Sequence, residues 1–225
     1  MTRRRAALAL LAATGCAAAA RPEGRATTHH RGLLDDVHAP GVSWLPGLIV
    51  LAASDGPSER AAERLRGAAR ATAPCTRAAG AHEVAADLVL PAGDEVALAS
   101  LDAGVVVLDR DDAVIARAAP LPCGGSADDL IDVVVGDAGL DRPVIALRVV
   151  LGGHAETTQS VWLYRVGRGG ELGPIFVGVT EEQVGDDARA GELSVEGAEL
   201  RYRAPDEPVA RRWWFDPAQE RYQPR

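Results

Sequence analysis

The sequence predicts a mainly β fold: an antiparallel meander that forms a sandwich, a small barrel or part of a propeller, with one α-helix near its N-terminal side. Three observations support this prediction. After Ala81 the apolar residues occur in short runs rich in Val, Ile and Leu, which favour strands. Turn signals containing Gly, Asp and Pro separate these runs at even spacing. Helical periodicity is convincing only at residues 58–73.

The first sixteen residues carry a different kind of signal. Three arginines at positions 3–5 precede an apolar run at residues 6–13, and Thr14, Gly15 and Cys16 follow. A positive region, a short apolar run and small residues are typical of a secretory leader. The run is about half the length that a bilayer-spanning helix needs, so we interpret it as a signal peptide and not as a permanent membrane anchor.

This leader resembles a bacterial lipoprotein signal peptide, although Ala13 stands where that family prefers Leu. The resemblance implies that residues 1–15 are removed and that Cys16 is acylated, which would hold the protein on a membrane. Because Ala17 is not the Asp that signals inner-membrane retention, we expect an outer-membrane lipoprotein in the cell envelope. Residues 16–32 lack an apolar period and predict a flexible tether, leaving 33–225 as a single globular domain.

Two alternatives for export stay open. Ordinary signal peptidase would cleave after one of the alanines at positions 17–20, and the protein would then be periplasmic without a lipid on Cys16. Residues 2–8 also loosely match a twin-arginine export signal.

The chain is acidic, which bears on its partners. It has 24 basic and 32 acidic residues and a formal net charge of -8. Removal of the three leader arginines leaves 21 basic residues against 32, or -11. Such a charge disfavours nucleic-acid binding, and the absence of lysine excludes the phosphate-binding Gly-x-x-x-x-Gly-Lys loop. We expect no cofactor.

Two cysteines remain once Cys16 carries the lipid. Cys75 and Cys123 form an even pair in an exported chain, which predicts a disulfide. A bridge closing a loop of this length stabilises a fold by about 4 kcal/mol in the chain-entropy model. The alternative is a pair of separate buried thiols.

The elements begin with an apolar segment at residues 48–52, which predicts a buried strand because Pro46 and Gly47 interrupt any helix there. Candidate N-caps for the helix that follows are Ser54, Asp55 and Ser58, and in that helix alanines and Leu65 recur on one face. Pro74 is expected to stop this helix. Further strands are predicted at residues 96–101, 105–108, 114–116, 130–135, 144–150, 161–166, 175–179, 193–195, 200–203 and 213–215.

The C-terminal segment 212–222 resembles the terminal hairpin of uncharacterised exported bacterial proteins. An aromatic strand turns near Asp216 and returns through Tyr222. Because side chains alternate along a strand, Trp213 and Phe215 are expected to close the core, while Trp214 faces outward and packs on an arginine. The alternative is that these rings form a ligand-stacking surface.

Residues 132–147 resemble a degenerate calcium-loop repeat of FG-GAP or VCBS-type β-propeller proteins, with a strand, a Gly-Asp pair, spaced acidic residues and a second strand. The resemblance implies that Asp137 and Asp141 occupy two ligand positions. Gly139 stands where a third Asp or Asn is expected, and Arg142 replaces a glycine. Calcium prefers six to eight oxygen ligands, so we interpret the segment as a turn whose ion site is lost, with calcium as the alternative.

The histidines give a second set of candidate metal ligands. His29, His30 and His38 lie near Asp35 and Asp36, and these residue types suit a transition metal. They lie in or beside the predicted tether, where the backbone does not fix ligand geometry. We therefore interpret them as solvated histidines, and no metal site is expected.

No catalytic motif is evident in the sequence. Leu45 stands where the second glycine of a Gly-x-Ser-x-Gly elbow belongs, and His154 lies in a loop without a nucleophile at a defined spacing. We therefore expect a non-catalytic binding or structural role in the cell envelope, with a protein partner of unknown identity. The alternative is a divergent secreted hydrolase or metal-binding protein that uses His154, Asp137 and Asp141.

Overall fold

The computed structural model describes residues 43–69, 81–85, 88, 94–100, 104–118, 129–152 and 156–225. These ranges contain one helix and fourteen strands, all paired antiparallel, so the predicted mainly β fold with one helix is confirmed. Several sequence predictions concern residues outside the described ranges and stay predictions: the signal peptide at 1–15, the tether at 16–32, Cys16, Cys75, Cys123, His29, His30, His38 and His154.

The elements have the following bounds: β1 (Ile49–Ala53), α1 (Glu59–Ala69), β2 (His82–Ala85), β3 (Val96–Ser100), β4 (Gly104–Leu108), β5 (Val114–Arg117), β6 (Asp129–Asp137), β7 (Val144–Gly152), β8 (Glu156–Val166), β9 (Leu172–Val184), β10 (Asp187–Ala190), β11 (Glu192–Glu196), β12 (Glu199–Arg203), β13 (Arg211–Asp216) and β14 (Arg221–Pro224).

A six-stranded central sheet, in the order β1-β6-β7-β8-β9-β10, is packed on both faces. In β7, Ile145 and Leu147 join a core shared with the β2-β3-β4-β5 sheet. Val144 and Ala146 point the other way, into a core shared with the β11-β12-β13-β14 sheet. The three sheets therefore stack as a sandwich in which the central one is buried on both sides, which explains the nearly continuous apolar run of β7.

Helix α1 covers the outer face of the β2–β5 sheet. Its N-terminus is capped by Ser58, whose Oγ accepts a hydrogen bond from the Ala61 N–H at 3.1 Å. Ala61 and Leu65 are fully buried and pack on Leu98 and Val106. The helix begins at the predicted residue, and the predicted stop near Pro74 lies outside the described residues.

Two strands were absent from the sequence prediction, and both are polar. β2 has the sequence His-Glu-Val-Ala and β10 has Asp-Ala-Arg-Ala. β10 pairs with β9 across a turn at Gly185, whose φ is +60°, so turn geometry and backbone hydrogen bonds form this strand without an apolar pattern. β9 also extends past its predicted end, because its mostly polar residues 181–184 pair with the start of β8.

All described residues belong to one compact unit, Val37–Arg225. Within the described ranges, no helix combines the length and the hydropathy that crossing a bilayer requires.

Candidate functional site

Strand β1 forms one edge of the central sheet and is unusually apolar for an edge. Ile49, Val50 and Leu51 are 64%, 39% and 55% exposed. The prediction of a strand here is confirmed, but the prediction that it is buried was wrong. β1 pairs with β6 on one side only, as far as the described residues show. The apolar side chains of β1 are therefore exposed at the edge of the central sheet. The sequence pattern alone does not indicate how much of a strand the neighbouring sheets bury.

The opposite edge of the same sheet has different chemistry. All four residues of β10 are exposed, and Asp187 and Arg189 place charges of both signs on it. Short length and charge are the usual ways in which proteins prevent an edge from pairing with another chain. β1 carries no charge, and among the described residues the feature that opposes such pairing is a β-bulge at Leu51, which has no partner residue in β6.

The segment before β1 is held in place through its backbone. The Val195 N–H of β11 donates to the Pro46 carbonyl at 2.8 Å, and Gly47 adopts a φ of +86° beside it. Leu48 then packs on Gly136, where a Cβ atom would come within 2.6 Å of the Leu48 side chain. These contacts fix the position at which β1 starts.

The end of β1 is held by a buried serine–histidine contact that the sequence analysis missed. Ser54 Oγ lies 3.1 Å from Nδ1 of the fully buried His82, and His82 Nε2 lies 3.2 Å from the Leu130 carbonyl oxygen. Because a carbonyl only accepts, the neutral ring carries its proton on Nε2, which leaves Nδ1 as an acceptor. The single proton of the Ser54 hydroxyl is shared between His82 Nδ1 and the Gly56 carbonyl oxygen, each 3.1 Å from Oγ. Burial lowers the pKa of His82, which favours this neutral form.

A hydroxyl beside a neutral imidazole is also the contact that activates a serine nucleophile. Here, however, the ring has no exposed surface, and a carbonyl occupies its second nitrogen. The arrangement therefore serves best as a clamp that joins β1, β2 and β6. No sequence motif would have found it, because Ser54 and His82 are 28 positions apart.

An open cleft of about 430 Å³ lies beside the beginning of β1, between residues 43–46, the central sheet and the β11–β12 hairpin. Its lining includes Trp44, Gln159, Thr180, Ser194 and Arg201. Gln159 Nε2 donates to Thr180 Oγ1 at 3.3 Å, so part of the polar lining is already satisfied within the protein. The cleft is open, and nothing in its chemistry selects one ligand.

The outer face of the β11–β14 sheet carries a row of arginines. Arg201 lies directly opposite Arg212 across β12 and β13, and the Arg225 N–H donates to the Arg212 carbonyl at 3.0 Å. The Arg225 guanidinium lies 4.8 Å from the ring centre of the exposed Trp214. The predicted outward orientation of Trp214 and its packing on an arginine are confirmed.

The other two aromatic residues of β13 pack inward, as the sequence predicts. Phe215 is buried, and Trp213 packs against the same core beside Phe176, at a ring-centre distance of 5.5 Å. They are therefore core residues and do not form a ligand-stacking surface with Trp214.

The two candidate calcium ligands have other roles in the structure. Asp137 Oδ1 accepts a hydrogen bond from the Gly139 N–H at 2.7 Å, and Gly139 has a φ of +70°, so the segment forms a tight turn. Asp141 forms an ion pair with the buried guanidinium of Arg165. In the part of the chain that the structure describes, no group of three or more His, Cys, Asp or Glu side chains is placed to hold a metal ion.

Comparison with known proteins identifies no relative of this chain. No family model matches this chain, and no curated protein or solved structure is significantly similar to it. The resemblances to a lipoprotein signal peptide and to FG-GAP or VCBS repeats therefore stay predictions.

Proposed function

We propose that this chain is a lipid-anchored protein of the cell envelope with a non-catalytic role, and that it binds a protein partner which adds a strand to β1. The observation that carries the binding proposal is the exposed, uncharged edge formed by Ile49, Val50 and Leu51. The leader ending at Cys16 supports the envelope location, and an exported chain would also allow the Cys75–Cys123 disulfide.

Strand addition suits this edge for a physical reason. An added strand satisfies the backbone N–H and C=O groups on the outer side of β1, and side chains on the two faces supply specificity. An uncharged, aliphatic β1 selects an extended partner segment that is itself uncharged and rich in β-branched residues. The contacts at Gly47 and at Ser54 fix the two ends of β1 before a partner binds, which lowers the entropy cost of binding.

The anchor is tested by the intact mass of the protein recovered from membranes of its native host, with and without a reductant, beside a Cys16→Ala variant. We expect a lipid-sized mass increment that is lost in the variant, and a two-hydrogen increase on reduction from the Cys75–Cys123 bridge. An unlipidated chain that starts at Met1 with three free thiols would contradict the proposed location.

The partner site is tested by placing lysines on β1, in the variant Ile49→Lys/Leu51→Lys. We expect the partner captured by mild crosslinking in the native envelope to be lost, with binding to the purified partner reduced at least about tenfold, because lysines on an edge oppose strand pairing. The matched control is Val184→Lys/Val209→Lys, since Val184 and Val209 are exposed to similar extents, 55% and 68%.

Two results would contradict this proposal. One is equal loss of the partner in both double variants, which would indicate a general effect of charge or solubility. The other is a crosslinked species with twice the mass of the chain, formed through β1, which would replace the envelope partner with a second copy.

The alternative function is a divergent secreted hydrolase or metal-binding protein. The Ser54–His82 contact is the observation that favours hydrolysis. Ester turnover by the purified protein that disappears in Ser54→Ala, with the fold intact, would replace the binding proposal. Stoichiometric zinc, copper or calcium after dialysis would favour the metal-binding form of this alternative.

A further inference from the structure

We propose that the outer face of the β11–β14 sheet rests against the anionic surface of the membrane to which the protein is anchored. The contact surface consists of Arg201, Arg212, Arg225 and Trp214, which we call the arginine face. This inference rests on the proposed lipid anchor for its membrane, but the charge and geometry of the face are independent of that anchor.

The arginine face holds more positive charge than the neighbouring carboxylates neutralise, since Glu199 pairs with Arg212 alone among its three arginines within the described residues. Arg201 and Arg212 are direct cross-strand neighbours, and like charges in this position repel each other. Within the described residues, the Arg201 guanidinium forms no ion pair or hydrogen bond, whereas Arg212 forms an ion pair with Glu199, at 3.7 Å between NH1 and Oε2. An external anion would relieve this repulsion.

The acidic residues of the same sheet face are mostly engaged elsewhere. Glu192 pairs with Arg203 at 3.3 Å, and Asp216 Oδ1 accepts a hydrogen bond from the Ala218 N–H at 2.8 Å in the β13–β14 turn. Glu196 lies at the far end of the sheet, next to the β11–β12 turn. The row at Arg201, Arg212 and Arg225 is therefore locally cationic on a chain whose net charge is -8.

The residue types on this face match the chemistry of a lipid headgroup layer. A planar guanidinium donates two parallel hydrogen bonds to a phosphate, which makes arginine well suited to phosphate recognition. An exposed tryptophan such as Trp214 belongs to the side chains enriched at membrane–water interfaces. Arg225 lies over the Trp214 ring, so both groups reach the same surface.

The described part of the chain begins beside this face. Ser43, the first described residue, lines the same cleft as Arg201 and Ser194. The chain leading from Cys16 therefore enters the domain beside the β11–β14 sheet. Between Cys16 and Ser43 the chain advances 27 positions. A tether of that length, of which the sequence predicts residues 16–32 to be flexible, would keep the arginine face at high effective concentration near the headgroups.

The test uses the full chain with Cys16→Ala, which cannot be lipidated there, and two kinds of vesicle: phosphatidylcholine alone, and phosphatidylcholine mixed with phosphatidylglycerol. We expect binding only to the mixed vesicles, weakening as salt is added. Arg201→Gln/Arg212→Gln/Arg225→Gln should lower the partition coefficient at least about tenfold, since each arginine near an anionic surface contributes about fivefold.

The matched control is Arg60→Gln/Arg110→Gln/Arg189→Gln, which removes the same charge from exposed arginines elsewhere. Its partition coefficient should change by about twofold or less. Brominated lipids should also quench the tryptophan fluorescence of the parent, and Trp214→Phe should lose more of that quenching than Trp44→Phe. Circular dichroism and thermal unfolding of each variant check that the fold is intact.

Equal loss in the two triple variants, or equal binding of the parent to both kinds of vesicle, would overturn the arginine-face proposal. Because the tested chain carries no lipid, such a result leaves the proposed anchor untouched. Conversely, an unlipidated Cys16 in the native host would defeat the proposed anchor without changing the vesicle result.

Discussion

Gly47→Ala should be among the most destabilising single substitutions in this protein, lowering the free energy of unfolding by about 3 kcal/mol or more. Gly47 has a φ of +86°, which an L side chain rarely adopts. An added Cβ would also lie only 1.9 Å from the Val195 carbonyl oxygen, a backbone atom that cannot rotate away. Relief requires residues 46–48 to separate from β11, breaking the Pro46–Val195 hydrogen bond and displacing the start of β1.

Urea unfolding followed by circular dichroism measures this loss, and Gly170→Ala is the matched control. Gly170 has a nearly identical φ of +84°, but nothing lies within 4 Å of the position of an added Cβ. Its variant therefore reports conformational strain alone, at about 1 kcal/mol. Equal losses in the two variants would contradict the close approach of Gly47 to Val195.

Most individual strands could be predicted from the sequence, because the pattern that indicates a strand lies within a few consecutive residues. In β7, the run from Val144 to Val150 is apolar on both faces except at Arg148, and the structure buries both faces between two sheets. The order of strands in the sheets is not local information. The pairing of β1 with β6, more than 70 positions later, depends on packing that no short pattern specifies.

Burial at the sheet edge was harder to predict than strand formation. Ile49 and Leu51 have the composition of a buried strand, yet both are exposed at the edge of the central sheet. The prediction for β10 was wrong in the opposite way, because the sequence did not predict this strand. Asp187 and Arg189 have no strand preference, and the turn at Gly185 brings β10 into its pairing with β9. In both cases tertiary context outweighed residue preference.

The candidate sites were less predictable than the fold. The spacing of Asp137 and Asp141 suggested a calcium loop. In the structure, Asp137 accepts a hydrogen bond within a turn and Asp141 forms an ion pair with the buried Arg165. The Ser54–His82 contact and the Arg201–Arg212 row both arise from long-range register, which spacing along the chain does not reveal. Only the alternation at residues 213–215 correctly placed a side chain, Trp214, on the arginine face.

Asp132→Asn should destabilise the protein by about 2 to 3 kcal/mol, because it leaves a buried guanidinium without its counter-charge. Arg148 NH2 lies 2.7 Å from Asp132 Oδ2, and the two side chains are 6% and 28% exposed. The Arg148 Nε is buried without a hydrogen-bond partner among the described residues, so the carboxylate provides much of the compensation for burying this charge. Urea unfolding midpoints, with unchanged slopes, measure the effect.

The double variant Asp132→Asn/Arg148→Met separates charge from packing. Methionine keeps much of the aliphatic volume that lies against Trp44, where the guanidinium is 5.9 Å from the ring centre. With both charges gone, no buried ion lacks its partner, and stability should return to within about 1 kcal/mol of the parent. A double variant as unstable as Asp132→Asn alone would contradict the electrostatic explanation, and it would mean that the shape of the Asp132 side chain is what β6 and β7 require.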